Sequence, residues 1–214
     1  MPLRSASCYD CSVSLPSTAN ANRFFREAPH FEHLRAVLAE RRPKARPFRA
    51  WSAACSTGEE AYSIAMVLAD ALPARGWELL ASDISPRVLD TARKGRYPMA
   101  QAASIPPDYL YRFCVEAEAG SLLVSRGLRE CVEFVQVNLN APRLPSLGRF
   151  DAIFLRNVLG YFDGETGRLV MRRVFDYLRP GGFMYIGESE SLHEMALPVQ
   201  SLAPAIYRRM DEGL

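Results

Sequence analysis

From Phe48 onward, short apolar runs alternate with amphipathic stretches, and this alternation confines the chain to an α/β layer architecture. Phe48–Cys55 reads as a buried strand. Glu59–Leu72 reads as a helix, with Tyr62, Ala65, Met66, Ala69 and Leu72 on one face. WELLASDI, from Trp77 to Ile84, is a second strand, and Pro86–Lys94 a helix opened by proline and closed by Gly95. Val132–Asn138 and Phe150–Asn157 are the third and fourth strands. Glu165–Leu178 is a helix with Val170, Val174, Phe175 and Leu178 inward, Arg179-Pro-Gly-Gly182 is a turn, and FMYIGES is the fifth strand. Residues 196–210 return as one or two antiparallel strands. The predicted fold is α/β: a doubly wound, mostly parallel sheet with helices on both faces, an antiparallel C-terminal strand and a small β insert.

The insert is the irregular stretch 96–131, with a short helix after Pro106-Pro107 and a candidate hairpin from Ser121 to Cys131 around Gly127. Residues 1–19, rich in Ser and without a period, read as a flexible tail. Residues 20–47 form a short helical, basic segment, with apolar residues stepping by three or four and a break or restart at Pro29. Residues 48–214 form the main domain, a division that suits a chain of 214 residues. Between Arg23 and Arg49 eight basic residues, Arg35, Arg41 and Arg42 among them, face only Glu27, Glu32 and Glu40, a local balance of +5. Such a run is either a solvated face or a surface for an acidic partner.

Net charge is +2, which argues neither for nor against nucleic acid, and no nucleic-acid partner is expected. No apolar run reaches the roughly 18 residues of a membrane span, and the first residues lack the apolar core of a signal peptide. A cytoplasmic protein without membrane insertion is expected. Cys8-x-x-Cys11 has no second pair nearby, His30, His33 and His193 form no recognisable ligand set, and no metal is expected.

In a doubly wound sheet the ligand lies beyond the carboxyl ends of the strands. That rule selects the loop AACSTGEE, Asp83, Asn138 and the pair Arg156-Asn157, each at a predicted strand end. Asp83 can accept both hydroxyls of a ribose; an N-cap before Ser85-Pro86 is the plainer use of it. The loop holds one glycine, and Glu59 and Glu60 would repel a phosphate. A cationic nucleoside without phosphate, S-adenosylmethionine, suits such a loop, whose small Ala53, Ala54 and Ser56 allow close approach.

The segments WSAACSTGEEAYSIAM, ASDIS, VEFVQVNL, FDAIFLRNVLGYFD, LRPGGFMYIGESESL and NRFFRE together resemble the chemotaxis receptor methyltransferases, the CheR family, over about Asn20 to Arg209. The resemblance implies a class I, Rossmann-like methyltransferase. It implies transfer of a methyl group from S-adenosylmethionine to glutamate carboxylates on the acidic methylation helices of chemoreceptor cytoplasmic domains, with S-adenosylhomocysteine as product. The family's contacts fall here on Asn20, Asn22 and Arg26, with Asn22 replacing a threonine. Glu59 and Asp83 match its cofactor-binding acids, Asn138-Leu139 the adenine pair, and Arg156-Asn157 the pair beside the methionyl part. Ala53 joins them as a candidate contact, and Tyr161 is the candidate at the substrate end.

The chain departs from the pattern in three places: few residues precede FFRE, Gly160 replaces an aliphatic residue, and Glu188 stands where the family commonly has His. The first departure keeps open a non-catalytic module that binds S-adenosylmethionine or S-adenosylhomocysteine, and a transferase acting on another carboxylate.

Overall fold

A computed structural model of the chain describes residues 22–41 and 46–211. Among the described residues, ten strands are distributed over two sheets. The main sheet contains β1 (Phe48–Ala53), β2 (Trp77–Asp83), β6 (Val132–Gln136), β7 (Phe150–Leu155), β8 (Leu178–Ile186), β9 (Val199–Ala203) and β10 (Ile206–Arg209). Their order is β6-β2-β1-β7-β8-β10-β9. Pairing is parallel from β6 through β8, and β10 runs antiparallel to both β8 and β9. The order reverses beside β1, which opens a crevice at the carboxyl ends of β1, β2, β6 and β7.

Two cores flank the sheet, and the period-2 pleat divides the strand residues between them. Phe48 and Ala50 of β1, with Ala152 and Phe154 of β7, face the side covered by α1 (Ala28–Ala39) and α2 (Glu59–Ala71). Trp51 and Ala53, with Phe150, Ile153 and Leu155, face α6 (Gly164–Phe175), where Val170, Met171 and Val174 meet them. α2 is buried on nearly every side from Ala61 to Leu68, more completely than a single apolar face would suggest. The reason is that α1 lies on its outer side, with Phe31, Leu34 and Leu38 in the same core. Thus the basic segment ahead of β1 contributes a structural helix, whose first turn carries Pro29 where a missing N–H costs nothing.

α3 (Pro86–Lys94) has the predicted bounds. Two other expectations are corrected. Arg179-Pro-Gly-Gly182 lies inside β8, because pairing with β7 resumes on both sides and the turn residues bulge out of the ladder between Phe150 and Ala152. The insert's hairpin joins β4 (Cys114–Ala117) to β5 (Ser121–Val124) through Glu118–Gly120, while Gly127 sits in the one-turn helix α5 (Arg126–Arg129). β3 (Arg96–Pro98) completes this small sheet in the order β3-β5-β4, and α4 (Pro107–Phe113), between β3 and β4 in the chain, follows Pro106 as expected.

Candidate functional site

The loop after β1 runs through backbone that side chains seldom adopt: Ala54 has φ 68°, Ser56 φ 50° and Gly58 φ 97°. Such conformations cost about 1–3 kcal/mol each and persist where the surroundings over-determine them. Here hydrogen bonds do so. Cys55 N donates to Ser82 O at 2.8 Å, Ser56 N to Asp83 Oδ2 at 3.0 Å and Gly58 N to Cys55 O at 3.0 Å. Gly58 has no alternative, since a Cβ there would lie 2.8 Å from Ala92 Cβ and 3.0 Å from the Tyr97 hydroxyl. That hydroxyl donates to Thr57 O at 2.8 Å, tying the insert to the loop. Asn22 closes the loop from above, its Nδ2 donating to Ser56 Oγ at 2.7 Å and Thr57 Oγ1 at 3.2 Å.

A cavity of about 570 Å³ lies over the carboxyl ends of β1, β2, β6 and β7. Of the sequence-predicted site residues, Asn22, Arg26, Glu59, Asp83, Asn138, Leu139, Arg156, Asn157 and Tyr161 line it. Ala53 does not. It ends β1 with its side chain in the core of the α6 side, and the cavity wall is Ala54, one pleat further along. Asn20 lies outside the described residues. Glu60, Arg23, Ile84, Val158 and Phe162 also line the cavity. A strand-end rule finds Glu60 at the end of AACSTGEE, Ile84 next to Asp83 and Val158 next to Asn157, but Arg23 and Phe162 depend on which loops meet in space.

The cavity carries charges of both signs. Arg156, only 7% exposed, reaches Glu27 Oε2 with Nη2 at 3.0 Å and Glu60 Oε2 with Nη1 at 3.1 Å, and Nη2 also donates to the Arg26 carbonyl. One guanidinium thus faces two carboxylates, and Arg26 Nε lies 3.8 Å from Glu27 Oε1 as a second cation. Burial pushes the Glu60 carboxyl up, against the Arg156 charge and the Ser52 hydroxyl, which donates to it at 2.6 Å. Burial likewise raises Glu59, against the hydrogen bond from Thr57 Oγ1 at 2.7 Å. Asp83 accepts from Ser56 N with one oxygen and from Ser85 N, 2.9 Å away, with the other. Each oxygen keeps a lone pair for a further donor. Glu59 and Asp83 therefore line the cavity as acids, and Arg23 and Arg26 line it as cations. Burial, followed by the Arg156 charge, lowers His30 to about 4, so it stays neutral behind the network. Among the described residues no histidine lines the cavity, and no cluster of His, Cys, Asp and Glu could hold a metal.

The same features test the ligand. A phosphate at the head of α2 would meet Glu59 and Glu60 in the first turn, while the N–H groups of Cys55, Ser56 and Gly58 are already engaged. A ligand with hydroxyls for Asp83, a cation for the acidic side and a carboxylate for arginine fits, and S-adenosylmethionine has all three.

Residues 20–205 match the family model described as "CheR methyltransferase, SAM binding domain". The chain belongs to the CheR methyltransferase family. Its relatives include the chemotaxis protein methyltransferase of Salmonella typhimurium, 40% identical over 89% of this chain and 67% of that protein. Chemotaxis protein methyltransferase 2 of Pseudomonas aeruginosa is 40% identical over 89% of this chain and 70% of its own length. The Escherichia coli chemotaxis protein methyltransferase is 42% identical over 83% of this chain, which spans 63% of that protein. The CheR domain shares its fold with the glycopeptide N-methyltransferase MtfA, solved with sinefungin, at a TM-score of 0.50 and 16% identity, covering 91% of this chain and 61% of that one. The cofactor of this CheR domain is S-adenosylmethionine. Among the described residues no helix is long and apolar enough to cross a membrane.

Proposed function

We propose that this chain methylates glutamate side-chain carboxylates on chemoreceptor cytoplasmic domains. The supporting observation is the cavity lining, which brings Glu59 and Asp83 together with Arg26 and Asn157. When bound, S-adenosylmethionine supplies a methyl group made electrophilic by a sulfonium sulfur. Asp83 would hold the ribose hydroxyls and Glu59 would stand toward the cationic part. Arg26 would take the carboxylate in a charge-assisted contact, with Asn22 locking the loop beneath. Asn138 and Leu139 would flank the adenine. Arg156 acts mainly by building the wall, because its guanidinium is already held by Glu27 and Glu60.

An acceptor glutamate, with an unperturbed pKa of about 4.3, is ionised near neutral pH and needs no general base. The chain's contribution is then placement and the exclusion of water, and oriented reactants alone reach effective molarities of about 10⁵–10⁸ M. Tyr161, 72% exposed at the mouth, and Asn157 would shape the acceptor side. The exposed arginines of the N-terminal segment would meet acidic receptor helices, and a cytoplasmic location follows from such a substrate. The test is transfer of radiolabelled methyl to candidate receptor domains. Label on the receptor as a base-labile ester is the expected result. Binding of the cofactor with no transfer to any receptor would sink the proposal.

A further inference from the structure

The backbone of Asn157, Val158 and Leu159 lies beyond the end of β7, outside any strand or helix ladder except at Leu159, where a single 3₁₀ turn begins. Its three amides converge on one side chain, the carboxylate of Glu190. Oε2 accepts from Asn157 N at 3.1 Å, and Oε1 from Val158 N at 2.9 Å and Leu159 N at 2.8 Å. Oε2 also accepts from Gly187 N at 2.7 Å, closing the turn that carries Glu190. A Cβ at Gly187 would stand 2.5 Å from Asn157 Nδ2 and 2.9 Å from Asn157 N, so the two loops nest only with glycine there. Asn157 is held at φ 56°, a conformation that asparagine tolerates better than most residues.

Asn157, Val158 and Tyr161 line the cavity, whereas Glu190 does not. We propose that Glu190 is a positioning residue for methyl transfer, its carboxylate fixing the Asn157–Leu159 backbone so that Asn157 and Tyr161 present the acceptor side correctly. This inference rests on the transferase reading above. The chemistry requires a carboxylate because four donors converge on two oxygens. A carboxamide has one acceptor oxygen, and its NH2 would confront two N–H groups. Donors left without acceptors would release the loop from its strained shape, and a displacement of about 1 Å suffices to cost about a hundredfold in rate.

Three readouts on Glu190→Gln in the whole chain test this: hydrogen exchange followed by mass spectrometry, calorimetric affinity for S-adenosylhomocysteine, and steady-state methyl transfer. Exchange over residues 157–161 should quicken at least about tenfold while β8 keeps its protection. Product affinity should stay within about threefold, and kcat should fall at least about tenfold with the cofactor KM nearly unchanged. Glu188→Gln, two residues away and exposed, should leave exchange as it is in the parent. If Glu190→Gln is too unstable to purify, Glu190→Asp keeps the charge, shortens its reach and is read in the same way. Unchanged exchange in the 157–161 loop overturns the proposal. So does a loosened loop with kcat within about twofold of the parent, which would make Glu190 a structural tie only. If the parent chain transfers no methyl, the function above fails, and exchange with product affinity still decides whether Glu190 holds the loop.

Discussion

Arg156 Nη1 lies 3.1 Å from Glu60 Oε2, bringing the end of β7 against the first turn of α2 in the wall of the cavity. The same guanidinium reaches Glu27, 129 residues earlier, so three separate segments of the cavity wall share one charge network. A buried pair is weak evidence for net stability, but removing one member strands the others.

Arg156→Ala is therefore expected to leave Glu60 without a counter-charge and Glu27 with only the more distant Arg26 Nε at 3.8 Å, and to cost about 3–5 kcal/mol. In a domain of this size that lowers the melting temperature by on the order of 10 °C. Scanning calorimetry checks it. Adding Glu60→Gln should recover part of the loss, and a single variant melting with the parent would remove the network from the account.

Asp83→Ala should weaken S-adenosylmethionine binding by at least about tenfold, about 1.4 kcal/mol or more. It should also loosen the Ser56 and Ser85 amides that the carboxylate accepts. Isothermal titration reads the first effect. Unchanged affinity would return Asp83 to a purely structural role at the head of α3.

Asp151 supports the opposite, amino-terminal end of the sheet. Its burial alone would raise the carboxyl, but the hydrogen bonds from Arg46 and Arg49 N, together with the charges of Arg179 and Arg46, hold it below its ordinary value. A depressed folded-state pKa gives stability that is present above the unfolded-state value and is lost as pH falls through the folded one. Urea titrations of the parent and Asp151→Asn, from about pH 2.5 to 7, should show a stability gap that is full above about pH 4 and closes below it. A gap that does not change with pH would contradict the ion-pair reading.

Tyr161→Ala removes an exposed ring and should shift the melting temperature by no more than about 2 °C. Cofactor affinity should hold within about twofold while the rate of methyl transfer falls at least about tenfold. An unaltered rate would place the acceptor elsewhere on the rim.

The parallel strands β1, β2, β6 and β7, α3 and the polar strand ends of the crevice were legible in the sequence because they follow from local periodicity and capping. Asp83, Asn138 and Arg156-Asn157 stand out for the same reason, each closing an apolar run. Glu60 was legible only as half of an acidic pair, since its partner is Arg156, 96 residues away. Ala53 falls one residue short of the wall because a single step along the pleat exchanges core for cavity. The bulge in β8 was hidden because Pro-Gly-Gly signals a turn locally, whereas resumed pairing with β7 overrides that signal.

The amino-acid sequence by itself determined the α/β architecture, the order of its elements and the motifs that place the chain among the CheR methyltransferases, since these rest on spacing along the chain. Only the tertiary structure decided which charges are already spent on one another, which amides Glu190 gathers, and which face of each loop reaches the cofactor cavity. The reason is physical: hydrogen bonds and ion pairs between residues many positions apart depend on how the sheet and its loops are brought together, and spacing along the chain carries no record of them.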